Sequence, residues 1–361
     1  MTFKKLHIAL RAASILLAAL LCLSLVACKK GSDVPLTPGL LVVQGVPIYD
    51  DDIAMQTDNF VITPGMMAYF FYSYGTTLMA QMESEVPFDE SKNLHDQMYT
   101  DTLCWYDAIM NATLEKVTKL LILCEAGLKE SVTLTEQQQE AIEEALAAYR
   151  MDAVVNYGIS LEEYLKASFG PRMTEADLRL VLEMETFANS YSQTLSDRLE
   201  QGITQEAVQN YLASLAKRDE TPSRNIAFLF IAFENGAVAT EKVAAAEAEM
   251  SASPSDATLQ ALDEYGTYAT EENLTPSNSG IEKISEWLFA AERKVGDWER
   301  IDLEGATYIV LYTANGVSYS EVDARMALYD VAYADWYNAW VEALNFGYNY
   351  DCLDGYDTDA K

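Results

Sequence analysis

Residues 157–183 read YGISLEEYLKASFGPRMTEADLRLVLE. Ser160 with Glu163 forms a capping box: the serine oxygen takes an orphan N–H of the first helical turn, and the glutamate reaches back to the serine's own N–H. A short helix is predicted, ending before Gly170-Pro171. Thr174 with Asp177 is a shorter-armed variant that opens a second helix, running to about Glu200. Toward the N-terminus, Thr135 with Gln138 opens a helix that Gly158 closes. Before it, Leu103, Tyr106, Met110, Leu114, Val117, Leu121 and Cys124 recur at three- and four-residue steps, which predicts one long helix over 94–130. Thr63-Pro64 reads as a cap with proline at the first helical position, leading a helix to about Glu85. On the other side, Thr204 starts a helix through Tyr211 to Lys217. The fold class is mainly α.

The texture changes at Arg218-Asp219-Glu220-Thr221-Pro222. Residues 224–233, RNIAFLFIAF, and 307–313, TYIVLYT, have strand patterns. Between them, 240–250, 255–265 and 284–293 are helical, 268–280 is a polar loop containing Pro276, and Gly296-Asp297 is a turn. This block is a small α+β insert in an otherwise helical chain. Ser318 with Glu321 caps a last helix, whose Met326, Tyr329, Tyr333, Trp336, Tyr337 and Trp340 form one aromatic stripe. A polar, acidic tail from Asp351, expected to be disordered, closes the chain. Its run Asn349-x-Asp351-x-x-Asp354-Gly355 fails the calcium-loop spacing, because Leu353 stands where an acid or amide belongs.

Lys4, Lys5 and Arg11, the apolar run 12–25 and the sequence Leu25-Val26-Ala27-Cys28 have the layout of a secretory signal. Ending on cysteine, this segment resembles the bacterial lipoprotein signal, which implies cleavage before Cys28 and acylation of that residue. Residues 1–27 are then the signal peptide and 28–39 a tether. The 361 residues carry 56 acids against 24 Lys and Arg, a net charge of −32. Such acidity excludes a general nucleic-acid binder, which needs clustered cations for phosphate. His7 and His95 are the only histidines, so a histidine metal site is excluded; no cofactor and no metal is expected. Residues 59–82 form a charge-free run, but Pro64, Gly65, Gly75 and clustered aromatics make it a buried or groove-lining helix rather than a membrane span. Cys104, Cys124 and Cys352 are read as buried thiols without a structural bridge. Gly-rich phosphate loops, GxSxG and CxxC are all missing.

The succession of the lipoprotein signal, YGISLEEYLKASFGPRMTEADLRLVLE, ITQEAVQNYLASL (203–215), SRNIAFLFI (223–231), WLFAAERKVGDWERI (287–301) and YIVLY (308–312) resembles the SurA/PrsA-type extracytoplasmic foldases. The resemblance covers most of residues 40–347. It implies a helical SurA-N-like chaperone domain, 40–220 plus 318–347, with an inserted parvulin-like (PpiC-like) peptidyl-prolyl isomerase domain, 221–317, and an acidic tail, 348–361. Parvulin domains usually open with Arg-His-Ile, where this chain has Arg224-Asn225-Ile226. They usually close with Gly-Tyr-His-Ile-Ile, where it has Gly305-Ala306-Thr307-Tyr308-Ile309-Val310. Asn225 and Tyr308, or Thr307 if the glycine is matched, occupy the positions of the two missing histidines.

Asn225 and Tyr308 can donate hydrogen bonds but cannot replace a titrating imidazole pair. A weak or inactive isomerase is therefore expected, leaving a lipid-anchored chaperone of the cell envelope. Its partners would be unfolded secreted polypeptides, together with the membrane through the lipid on Cys28. Holding such clients needs adaptable apolar surface. Met66, Met67, Tyr69, Phe70, Phe71 and Tyr72 are one candidate lining, and Tyr333, Trp336, Tyr337 and Trp340 another. Two alternatives stand: an active peptidyl-prolyl isomerase working through other residues, and a ligand- or envelope-binding lipoprotein.

Overall fold

The Thr63 oxygen accepts the backbone N–H of Met66 at 3.1 Å, and Pro64 follows as the first helical residue, as its fixed φ favours. Helix α1 (Pro64–Met82) begins there. Thr63 Oγ1 also donates to Asp177 Oδ1 at 2.6 Å, while Thr174 donates its N–H and its hydroxyl to Asp177 Oδ2 at 3.0 and 2.6 Å. One buried carboxylate thus serves two helix starts. A Cβ on Gly65 would stand 2.5 Å from Asp177 Oδ2, so only glycine permits this approach.

The structure is a computed structural model that describes residues 45–82, 86, 88, 89, 92–232, 237–303, 305–353 and 356. The expected signal peptide, Cys28 and the tether lie outside the described residues. Two compact units emerge, one within Gly31–Leu199 and Tyr333–Lys361, the other within Glu200–Ala332. The architecture is mainly α, with a small α+β domain inserted in the chain order.

In the first unit, β1 (Gly45–Pro47), β2 (Met55–Gln56) and β3 (Val61–Ile62) precede α1. Next come α2 (Trp105–Lys129), α3 (Glu136–Asp152) with a π-helical turn at Ala153–Tyr157, α4 (Leu161–Phe169) and α5 (Glu175–Gly202). Both predicted capping boxes are present, at Thr135/Gln138 and Ser160/Glu163. Gly158 closes its helix at φ 67°. The long helix over 94–130 starts later than its periodicity suggested. Leu94–Asp96 is a single 3-10 turn, Met98 bridges Cys104, and Cys104 Sγ caps the N–H of Asp107. Glu125 on α2 is buried and accepts from Thr57 Oγ1 at 2.7 Å and from the Asn59 N–H and Nδ2, each at 2.8 Å. This fastens the β2–β3 turn to the helix.

The second unit holds α6 (Gln205–Ser214), β4 (Pro222–Ala232), α7 (Ala237–Ala252), α8 (Asp256–Ala261), β5 (Thr267–Leu274), α9 (Glu282–Leu288), β6 (Trp298–Leu303) and β7 (Ala306–Ser318). Its sheet has the order β5-β4-β7-β6, antiparallel throughout. The polar stretch 268–280 is therefore not all loop: TYATEENL is an outer strand. Outer strands carry charge on their open side, which hides the alternation that would reveal them. WERIDL, β6, is the opposite edge and equally charged.

Helix α10 (Tyr319–Ala343) follows, opened by Ser318 accepting the Glu321 N–H at 3.3 Å. After it come β8 (Phe346–Tyr348) and α11 (Tyr350–Leu353). The stretch read as an acidic tail thus contributes to the first unit. β8 pairs parallel with β1 and antiparallel with β2. Tyr348, Cys352, Leu353 and Tyr356 are buried in the main core, and Tyr106 donates its hydroxyl to Leu353 O at 2.6 Å. Acids alternate with these apolar residues, which masks the inward face. No helix of the described residues is long and apolar enough to cross a membrane.

Candidate functional site

Strand alternation gives β4 and β7 two faces. Ala227, Leu229 and Ile231, with Ile309 and Leu311, pack under α7 and α8 through Val243, Met250 and Leu259. The opposite face carries Ile226, Phe228 and Phe230 on β4 and Tyr308, Val310 and Tyr312 on β7. Helix α9 covers one end of it, where Ile284, Trp287 and Leu288 bury Ile226, Val310 and Tyr312. No described helix covers the other end, and there, among the described residues, Phe228, Phe230 and Tyr308 are only partly buried. Tyr308 pairs with Phe230 in register and lies 5.2 Å from its ring and 5.7 Å from that of Phe228.

Asn225 is at the far end of the same strand pair, opposite Ala314. Its Oδ1 accepts the backbone N–H of Asn273 at 2.8 Å. Asn273 stands at φ 57°, a left-handed conformation that asparagine tolerates. Its own Oδ1 accepts from the Val317 N–H at 3.1 Å and from Ser223 Oγ at 3.3 Å. This polar knot pins β4, β5 and β7 where β4 bulges. The structure therefore does not bring Asn225 and Tyr308 together: one is tied into a strand end, the other forms part of an aromatic surface. Thr307, on the other side of β7, is buried and donates to Asp302 Oδ1 at 2.7 Å.

The open face is poor in titratable groups. Glu271 on β5 lies opposite Ile226, at the border between the end that α9 covers and the rings of Phe228 and Phe230. It is half-buried, and that burial raises its carboxyl above the ordinary range. His95 is in the first unit, stacked on Tyr106 at 3.9 Å. Glu271, Phe228 and Phe230 were not singled out from the sequence. The alternation of RNIAFLFIAF could have found the two phenylalanines, whereas Glu271 lies in the strand that reads as a loop.

The aromatic stretch of α1 is interior. Met66, Met67, Tyr69, Phe70 and Phe71 are at most 6% exposed, so as packed they offer no surface to a client. Tyr72 is half-buried and donates its hydroxyl to Tyr356 O. On α10, Tyr333, Trp336, Tyr337 and Trp340 are half-buried against the main core. Lys119 Nζ lies 5.2 Å from the Tyr333 ring and Lys129 Nζ 5.0 Å from the Trp340 ring, as cation–π contacts favour. Burial, with Tyr333 and Glu115 nearby, pushes the Tyr337 hydroxyl up to about 12. Cys104, Cys124 and Cys352 are free, and burial raises the Cys124 thiol to about 12, which keeps it inert. Among the described residues no group of His, Cys, Asp and Glu is placed to hold a metal ion.

No family model matches the sequence, and no curated protein matches it. Among solved structures, the chain is similar to PrsA from Bacillus subtilis at 14% identity, over 73% of this chain and 91% of that one, with a TM-score of 0.28. It is similar to the foldase protein PrsA from Streptococcus pneumoniae at 13% identity, over 82% and 90%, with a TM-score of 0.27. A SurA-like chaperone structure from Campylobacter jejuni, described for PEB4 and Cj1289, matches at 9% identity over 82% and 98%, with a TM-score of 0.21. Identities and scores at this level do not assign a family.

Proposed function

We propose that this chain is an extracytoplasmic chaperone, held at the membrane by lipid on Cys28, that binds unfolded secreted polypeptides and has little or no prolyl isomerase activity. The observation that carries the reading is the open end of the β4–β7 face, where Phe228, Phe230 and Tyr308 form an aromatic surface with no imidazole among them. Burying the remaining exposed part of one ring is worth about 1 kcal/mol, at about 25 cal/mol per Å². Three rings give a weak, reversible hold, as a chaperone that releases its client requires. The stripe Tyr333, Trp336, Tyr337 and Trp340 is a second candidate contact, because its rings stay partly accessible. Catalysing rotation about X–Pro would need placed groups that favour the twisted amide, and among the described residues this face supplies tyrosine hydroxyls and the carboxylates of Glu271 and Glu299.

The test uses soluble residues 29–361 in two assays. Aggregation of a chemically denatured client is expected to be suppressed at near-stoichiometric ratios, and Phe230→Ser with Tyr308→Ser is expected to weaken that suppression several-fold. Proline-limited refolding of a second client is expected to keep its uncatalysed rate of tens to hundreds of seconds. Acceleration at catalytic ratios would establish the isomerase instead. Absence of any effect on aggregation would remove the chaperone.

A further inference from the structure

Glu271 is an uncompensated charge on a face that also carries the rings of Phe228, Phe230 and Tyr308. Within the described residues no hydrogen bond or ion pair reaches its carboxylate, although burial makes the charged form unfavourable. Several cations of the unit are engaged elsewhere. Arg224 donates to Leu288 O and Ala290 O and lies over the rings of Phe289 and Tyr312. Lys283 Nζ donates to Asp302 O at 2.8 Å. Arg293 covers Trp287 and pairs with Asp297, and Arg300 pairs with Asp302 and Glu247. By contrast, the strand acid Asp302 is both ion-paired and hydrogen-bonded to Thr307.

In the antiparallel register Glu271 faces Ile226, and Phe228 is the next same-face residue of β4, opposite Ala269. Such a diagonal pair is separated by roughly 7–8 Å. An extended peptide covers about that distance in two residues, at about 3.3 Å each. β5 is an outer strand of the sheet, so a peptide can reach the carboxylate from the open edge. A lysine or arginine brought there would restore the charge partner that the fold withholds, beside rings that take an apolar side chain.

We propose that Glu271 gives this face a preference for polypeptide segments with an apolar residue and, two positions away, a lysine or arginine. The inference rests on the chaperone reading and names the client class for the same surface. It is tested with three fluorescent nine-residue peptides, otherwise of Ser and Gly, carrying Phe-x-Lys, Phe-x-Gln or Phe-x-Glu. Their binding to residues 29–361 is followed by anisotropy. The Lys peptide is expected to bind about fivefold more tightly than the Gln peptide, the scale of one partly exposed charge pair, and the Glu peptide more weakly than both. Glu271→Gln should erase the Lys preference and leave the Gln peptide's affinity unchanged. Glu299→Gln, on β6 of the same face, should preserve the preference. A preference that survives Glu271→Gln, or no preference in the parent chain, overturns the inference while the chaperone reading stands. Failure of the Gln peptide to bind at all overturns the chaperone reading, and the inference with it.

Discussion

At the residue scale, Glu185 is a half-buried acid set among tyrosines. It lies on α5, with Tyr69 and Tyr74 from α1 and Tyr149 from α3 close enough for its charge to raise their hydroxyls. Burial pushes its carboxyl up to about 7, against about 4.3 for a free glutamate. The native state therefore holds this proton more tightly than the unfolded chain does. The stability this contributes is complete below pH ~4.3 and is lost as pH rises through about 7. Glu185→Gln keeps the shape and removes the titration. It is expected to raise stability at pH 8 by about 1–2 kcal/mol and to change little at pH 4, measured by urea unfolding at both values. Equal shifts at the two pH values would show that the carboxylate is well hydrated. Nothing in the sequence around Leu182-Glu183-Met184-Glu185 separates this acid from its solvated neighbours, because its surroundings come from two other helices.

At the scale of elements, the helix starts were readable and the outer strands were not. Ser160 and Glu163 satisfy each other's backbone N–H groups within four residues, so the information is local. Ser160→Ala is expected to lower the stability of the first unit by about 1 kcal/mol, seen as a lower urea midpoint with an unchanged slope. A slope change would mean that α4 had detached before the rest unfolded. β4 and β7 are central and apolar, and their patterns are plain in RNIAFLFIAF and TYIVLYT. β5 and β6 each face solvent along one edge, and their sequences, TYATEENL and WERIDL, resemble loops. The start of α2 also eluded periodicity, since Leu103 continues the apolar rhythm while Met98 and Cys104 form a bridge before the helix begins.

For the whole molecule, the C-terminal segment decides whether the first unit closes. Asn349 donates Nδ2 to Asp50 O at 2.9 Å and its N–H to Ala54 O at 3.0 Å, joining the segment after β8 to the one between β1 and β2. Truncation after Ala343 removes β8, the strand between β1 and β2, and uncovers the core around Tyr106. The first unit is then expected to lose its cooperative thermal transition and to become sensitive to limited proteolysis. Tyr348→Ala alone should destabilise it by about 3–5 kcal/mol, as for other large buried aromatic truncations. A truncated chain that melts like the full one would show that β8 and α11 are dispensable.

The order of helices, their caps, the α+β insert and the scarcity of histidine follow from the sequence alone, since caps and periodicity act within one or two turns and composition needs no fold. Which aromatics are interior and which remain accessible was settled only by tertiary structure. Tyr69–Phe71 and Tyr333–Trp340 look equally apolar along the chain, yet the first stretch is enclosed by α2, α4 and the C-terminal residues while the second keeps part of its rings in water. The separation of Asn225 from Tyr308 is likewise a matter of register, fixed by which residue of β7 hydrogen-bonds to which residue of β4. Burial and register are both properties of partners distant in sequence, and no local pattern encodes them.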